Sequence, residues 1–107
     1  MRKLKPADFK KDALKVKGNV GVLFYAEWCP FCMGFRPLYE NADQEDFELT
    51  LADISDDDNP LWEMFGIENV PTVIAFKDGR AVWRRDCKHH VGLDGDDLRD
   101  LLEVLGR

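Results

Sequence analysis

Hydrophobic and polar residues alternate with two spacings along the chain, one typical of strands and one typical of helices. Continuous apolar runs at residues 20–26 and 71–76 predict strands covered on both faces, and we expect the first to lie at the centre of a sheet. Residues 47–54 form a third extended segment. The turn sequence at residues 77–80 predicts a hairpin into a fourth strand at residues 81–83.

Four segments carry apolar residues at helical spacing. Asp8 and Asp94 are suited to cap the first and the last of them, and Pro37 lies inside the second. The predicted helices cover residues 9–17, 30–42, 61–65 and 95–105. With the strands they give one helix followed by the order β-α-β-α-β-β-α, which predicts an α/β architecture.

The composition of the 107 residues fits one globular domain, residues 1–107, with 45% hydrophobic and 34% charged residues. The net charge of -6 disfavours a phosphate backbone, so we expect no nucleic acid partner. No stretch approaches the roughly 20 apolar residues of a membrane span, and residues 1–18 lack the apolar run of a signal peptide. We therefore expect a cytoplasmic monomer with no membrane partner.

The first apolar run ends in the sequence EWCPFC, residues 27–32, where a strand passes into a helix. A cysteine at a helix N-terminus meets unpaired N–H groups and the positive end of the helix dipole, which favour a thiolate. Pro30 fits the first helical position because its missing N–H needs no partner there. The pair Cys29 and Cys32 therefore suits a redox couple, while half of a zinc site remains an alternative.

Two segments together resemble the thioredoxin family. The stretch FYAEWCPFC, residues 24–32, followed by Pro37, is similar to the active-site strand and helix of thioredoxins. The stretch FGIENVPTVIAFKDG, residues 65–79, is similar to their third strand and its hairpin. The resemblance covers roughly residues 8–106. It implies a thioredoxin-like three-layer fold, with a central mixed four-stranded sheet flanked by helices, and dithiol–disulfide exchange as the activity.

The resemblance also implies roles for individual residues. Cys29 matches the nucleophile that attacks a substrate disulfide, and Cys32 matches the thiol that resolves the mixed disulfide. Pro71 matches a proline held in the cis form. The implied partners are protein disulfide substrates and a disulfide reductase, with no metal and no cofactor beyond the cysteine pair. The substrate-docking residues are Trp28, Pro30, Phe31, Val70, Pro71 and Gly92.

The chain departs from the family at a buried position. Thioredoxins usually carry a buried aspartate six residues before the first cysteine, and this chain has Leu23 there. The alignment places Asp53 at the position of a lysine that often pairs with that aspartate. We therefore expect Asp53 to accept the proton of Cys32 or, alternatively, simply to end its strand near the surface. Glu27 is a second candidate acceptor, ranked lower because we expect it to be exposed.

The residues between the cysteines are also unusual. Pro30 and Phe31 replace the Gly-Pro of typical thioredoxins and are closer to the Pro-Tyr of glutaredoxins. They predict a reduction potential above about -270 mV, toward the range of about -230 to -200 mV. A glutaredoxin-like enzyme that uses glutathione remains an alternative function, as does a protein-binding module whose disulfide acts as a switch.

The strand after the hairpin is extended by the sequence RRDCKHH, residues 84–90, which adds about five residues to the family pattern. This segment predicts an edge strand guarded by charge. Two alternatives concern its last residues: Cys87 as a regulatory thiol, and a metal site that combines Cys87 with His89 and His90.

Overall fold

The computed structural model describes residues 1–107, and its elements follow the predicted order from residue 19 onward. A short 3₁₀ helix spans Pro6–Asp8. None of the helices has the length and apolar character that a membrane span requires. The strands and helices are β1 (Lys3–Leu4), β2 (Phe9–Lys10), β3 (Ala13–Leu14), β4 (Asn19–Tyr25), α1 (Pro30–Glu40), β5 (Glu48–Asp53), α2 (Leu61–Met64), β6 (Thr72–Lys77), β7 (Arg80–Asp86) and α3 (Gly95–Leu105).

The main sheet is mixed and has the strand order β1-β5-β4-β6-β7. Strand β4 lies at its centre, parallel to β5 and antiparallel to β6, and every residue from Val20 to Tyr25 is buried. The α/β class and the central position of this strand are therefore confirmed. The expected strand number was wrong by one, because β1 pairs in parallel with Leu51 and Ala52 of β5. A strand of two residues is too short to show a periodic pattern.

The predicted first helix is wrong. Residues 9–14 instead form the two-stranded antiparallel ribbon β2-β3, in which Phe9 pairs with Leu14. Asp8 is the last residue of the 3₁₀ helix, and its carboxylate accepts a hydrogen bond from the N–H of Lys5, the N-cap residue (2.7 Å). The positive φ of 58° at Lys11 turns the chain between the two strands. Phe9 and Leu14 are thus brought to one buried face by a turn rather than by helical spacing.

Distant contacts stabilise this ribbon. The N–H of Leu14 donates to the carbonyl of Gly79 in the turn between β6 and β7 (2.9 Å). The Phe9 ring packs edge-on against Phe65, with 5.3 Å between ring centroids. The turn itself is the predicted hairpin, with positive φ at both Asp78 and Gly79, as the favoured two-residue turns require. At Gly79 a Cβ would also lie 2.5 Å from the Leu14 carbonyl oxygen, so only glycine fits.

The last helix agrees with the prediction. The Asp94 carboxylate accepts hydrogen bonds from the N–H groups of Asp96 and Asp97, which satisfies two of the free donors at the helix start. The buried face of α3 packs on the sheet, mainly on β6. The buried leucines of α3 are Leu98, Leu101 and Leu105.

Three chain segments meet at one edge of the sheet. Strand β4 ends there at Tyr25 and leads to Cys29, β6 begins there after Pro71, and β7 ends there before Cys87. Because β6 runs antiparallel to both neighbours, its start lies beside their ends. This edge therefore carries the residues that the sequence singles out for chemistry.

Candidate active site

Cys29 is the N-cap residue of α1, and Pro30 is its first residue, as predicted from the sequence. The extended backbone of Cys29 (φ -100°, ψ 112°) directs the chain from the sheet into the helix. The backbone N–H of Cys32 donates to the Cys29 sulfur at 3.4 Å. A sulfur in this place meets the positive end of the helix dipole, which favours negative charge on it.

The two cysteines differ in exposure. Cys29 is 6% exposed, and Cys32 is 0% exposed on the inner face of α1. Burial is the main cause that raises the pKa of Cys32 well above its usual value. A backbone hydrogen bond with Ala26 lowers this pKa in part, and the hydrogen bond and charge of Cys29 raise it. Cys32 is therefore held as a neutral thiol at neutral pH, and Cys29 is the more exposed of the two residues.

The loop before β6 contacts Cys29. The peptide bond between Val70 and Pro71 is cis, as the family resemblance implies. The Cys29 thiol donates a hydrogen bond to the Val70 carbonyl oxygen (3.4 Å). The side chains of Val70 and Pro71 are buried, so this loop is fixed beside the reactive sulfur.

A groove of about 510 Å³ opens in front of Cys29. Trp28 is 59% exposed and Phe31 is 39% exposed, so both present apolar surface beside the cysteine. Trp28, Pro30, Phe31 and Val70 come together here, whereas Pro71 does not line the groove. The full lining consists of Trp28, Cys29, Pro30, Phe31, Trp62, Glu68, Asn69, Val70, Cys87, His89 and His90.

Gly92 lies at the side of this groove, against Phe31. Its φ is +79°, a conformation that L side chains rarely adopt, and a Cβ there would lie only 3.0 Å from the Phe31 Cβ. The structure therefore brings Gly92 to the active-site helix, although it does not line the groove itself.

Sequence reasoning missed Trp62 as a groove residue. Leu61 and Phe65 are the buried apolar residues of α2 and its C-cap, and Trp62 is not needed to explain that apolar face. A large aromatic residue outside the buried face could have indicated a surface role for Trp62. Trp62 stacks on Trp28, with 6.5 Å between ring centroids and 5° between ring planes.

The buried position opposite Leu23 holds no ionisable group. Strand pairing places Leu51 beside Leu23, and both are buried. Asp53 pairs instead with Tyr25, two residues further along the strand. Asp53 therefore does not lie directly opposite Leu23, and an apolar pair occupies this place.

Asp53 is held by its own loop. Its carboxylate accepts hydrogen bonds from both the N–H (2.9 Å) and the hydroxyl of Ser55, and no hydrogen bond joins it to either cysteine. The structure thus favours the alternative in which Asp53 ends its strand near the surface. Glu27 is exposed as expected, and its N–H donates to the Ser55 hydroxyl oxygen (2.8 Å).

The segment after β7 differs from the predicted edge strand. Charged residues do line the edge strand β7, but the strand ends at Asp86, and residues 88–92 form a tight turn. Cys87 is buried in the groove wall, and burial followed by the charge of Cys29 raises its pKa. The structure contains no group of three or more cysteine, histidine or acidic side chains placed to hold a metal ion.

An α/β sheet that presents a Cys-x-x-Cys pair at a helix N-terminus beside a cis-proline defines a class of dithiol–disulfide exchange proteins. The thioredoxin family profile matches residues 1–102. Thioredoxin from Rhodospirillum rubrum is 38% identical over 82 residues, 75% of this chain and 79% of that protein. Thioredoxin from Mycobacterium tuberculosis is 36% identical over 107 residues, covering 96% and 88%. The chain belongs to the thioredoxin family and is a thiol–disulfide oxidoreductase.

A solved structure supports the same assignment. A mutant thioredoxin from Halobacterium salinarum NRC-1 superposes with a TM-score of 0.76 at 29% identity, over 99% of this chain and 90% of that chain. Thioredoxins need no cofactor beyond the redox-active dithiol. Membership in the family implies, in general terms, protein disulfide substrates and a reductase as partners.

Proposed function

We propose that this protein reduces protein disulfides, with Cys29 as the nucleophile and Cys32 as the resolving thiol. The observation that carries the assignment is the asymmetry of the pair. Cys29 caps α1 and faces the groove, whereas Cys32 is fully buried and donates its backbone N–H to the Cys29 sulfur. This asymmetry supports Cys29 as the sulfur that meets a substrate and Cys32 as the one that attacks Cys29 from within.

Two exchange steps follow from this placement. The Cys29 thiolate attacks one sulfur of a substrate disulfide, forms a mixed disulfide and releases the other substrate sulfur as a thiolate. Cys32 then loses its proton and attacks the Cys29 sulfur, which forms the Cys29–Cys32 disulfide and releases the second substrate thiolate. The substrate gains two electrons and two protons, and a reductase returns the protein to the dithiol.

The proton of Cys32 needs an acceptor outside the sheet. Leu23 and Leu51 carry none, and the Asp53 carboxylate is occupied by Ser55. We propose that the thiolate released from the substrate in the first step accepts this proton. The raised pKa of Cys32 makes its ionisation unfavourable at neutral pH, so the second step becomes faster as the pH rises.

The docking surface is proposed to comprise Trp28, Pro30, Phe31 and Val70, with Pro71 and Gly92 shaping it. Its support is the shared groove in front of Cys29, together with the contact between Gly92 and Phe31.

We also propose one domain that acts as a cytoplasmic monomer. A single buried cluster of 29 residues runs from Leu4 to Leu105, and cysteines used for exchange suit a reducing compartment.

Reduction of insulin by the dithiol form tests the proposal. The wild-type protein is expected to precipitate the insulin B chain with a turnover that Cys29→Ser abolishes. Cys32→Ser is expected to stop at a mixed disulfide, seen by mass spectrometry as one insulin chain attached to Cys29. Cys87→Ser is the matched control and is expected to remain active. Turnover by Cys29→Ser, or no reduction by the wild type, would refute the assignment.

A further inference from the structure

We propose that Trp62 is a specificity-determining residue, which together with Trp28 binds an aromatic or large apolar side chain next to the reacting cysteine of a protein substrate. The inference rests on the proposed function and names the class of substrate that the groove prefers. It concerns a residue of α2, outside the two segments that carry the cysteines and the cis-proline.

The two tryptophans form one rigid wall. Their rings stack nearly in parallel, 6.5 Å apart. The Trp28 indole N–H donates to the Ser55 carbonyl (2.9 Å), and the Trp62 indole N–H donates to the Ile54 carbonyl (3.0 Å). Because the same short segment fixes both rings before any substrate arrives, little side-chain entropy remains to be lost on binding.

The tryptophan pair lies in the same groove as the reacting cysteine, Cys29. Trp62 lines the same groove as Cys29 and Val70. A peptide whose cysteine sulfur reaches Cys29 must therefore place a neighbouring side chain near the exposed face of Trp28. Trp62 stacks on Trp28 and lines the same groove, so a ring or a branched aliphatic side chain bound there lies beside both indoles.

The chemistry of the lining selects the occupant. The cysteines aside, most of the lining is apolar, and its polar residues are four in number. The apolar residues are Trp28, Pro30, Phe31, Trp62 and Val70, and the polar ones are Glu68, Asn69, His89 and His90. A polar side chain buried against two indole rings would lose its hydration without a partner. An aromatic side chain would instead gain offset stacking with the tryptophan pair in addition to its burial.

Two peptides test the preference. Each contains the same intramolecular disulfide, and they differ only in the residue next to the attacked cysteine, which is Phe in one and Ser in the other. The wild-type protein is expected to favour the Phe peptide by about threefold to tenfold in kcat/KM. The difference should appear in KM, because the wall binds the substrate without touching the reacting sulfurs.

Three variants identify the residue responsible. Trp62→Ala is expected to lose the preference, and Trp62→Phe, which keeps an aromatic ring, is expected to retain it. Trp83→Ala is the matched control, since Trp83 is a partly buried tryptophan of β7 that does not line the groove. An undiminished preference in Trp62→Ala overturns the inference.

A small aliphatic disulfide separates this inference from the proposed function. Bis(2-hydroxyethyl) disulfide has no side chain for the wall, so Trp62→Ala should lose less activity on it than on the Phe peptide, and Trp83→Ala should reduce it at the wild-type rate. A larger loss on the Phe peptide than on this compound, with a lost Phe preference in Trp62→Ala, supports the inference. A wild-type protein that reduces this compound but neither peptide refutes the proposed function and the inference with it. Equal wild-type rates on both peptides overturn the inference alone.

Discussion

Gly92 determines how closely the last loop approaches the active-site helix. It has a positive φ, and the space where a Cβ would lie is occupied by Phe31, whose Cβ is 3.0 Å and whose Cδ1 is 3.1 Å away. A side chain at this position would strain the backbone and press on Phe31 at the same time. Phe31 in turn lines the groove, so this one position connects backbone conformation to substrate docking.

Gly92→Ala is expected to lower both stability and activity. The backbone strain should cost about 1–2 kcal/mol in the free energy of unfolding, and displacement of Phe31 should lower kcat/KM for insulin. Urea denaturation and insulin reduction measure the two effects. Gly18→Ala is the control, because Gly18 has a similar φ of +87° with nothing within 4 Å of the Cβ position. It should lose comparable stability and keep its activity, and equal activity of the two variants would contradict the prediction.

Single residues also show what the sequence could reveal. The cysteine pair and Pro30 were recognisable because each needs only its local neighbours to define its place, and the cis-proline was implied by the family resemblance. The role of Asp53 could not be predicted because strand register depends on pairing between distant segments. Residues 51 and 53 lie on the same face of a strand, so hydrophobic alternation could not show which of them lies opposite Leu23. The pairing of Leu23 with Leu51 became known only from the sheet.

At the level of elements, the loop that follows β5 supports the aromatic wall. Asp53 binds the N–H and hydroxyl of Ser55, and the carbonyl of Ser55 accepts the indole N–H of Trp28. The Ser55 hydroxyl also accepts the N–H of Glu27, just before Trp28. Asp53 is thus connected to the docking surface through two hydrogen-bonded steps, and not to the proton of Cys32.

Removal of the Asp53 carboxylate is expected to weaken docking and leave the acid–base chemistry unchanged. Asp53→Ala should raise KM for insulin by about fivefold, which corresponds to the loss of one hydrogen bond, with little change in kcat. Asp53→Asn should retain most of the affinity, since its amide oxygen can still accept from Ser55. Asp57→Ala, an exposed residue of the same loop, is the control. A pH profile of kcat that moves in Asp53→Asn would instead assign it the proton-transfer role.

Elements differ in how well their local sequence defines them. The helix α3 was predictable because its cap and its leucine stripe lie within a dozen consecutive residues. The ribbon β2-β3 was not, because its stabilising contacts come from Gly79 and Phe65, far along the chain. Apolar residues at positions 9, 13 and 14 fit a helix equally well when only the local pattern is considered. Tertiary contacts decided between the two structures.

For the whole molecule, the redox state and the stability of the fold are linked through Cys32. Burial and the nearby Cys29 raise the pKa of Cys32 in the folded dithiol protein. In the unfolded chain this thiol ionises near its usual pKa of about 8.5. Below that pH both states hold the proton, so burial of the thiol costs no ionisation energy. Above it the unfolded chain loses the proton first, which favours unfolding.

The dithiol form is therefore expected to lose stability relative to the disulfide form as the pH rises from 8 to 10. The loss should approach about 1.4 kcal/mol per pH unit above the unfolded pKa. Urea denaturation of both forms across this range measures it. Tyr39, whose pKa is also raised by burial, titrates in both forms and cancels in the difference, as does the part of the Cys87 shift that burial causes. The reduced Cys32→Ser variant lacks the group and should follow the disulfide form; parallel pH dependence of the wild-type dithiol and disulfide forms would contradict the linkage.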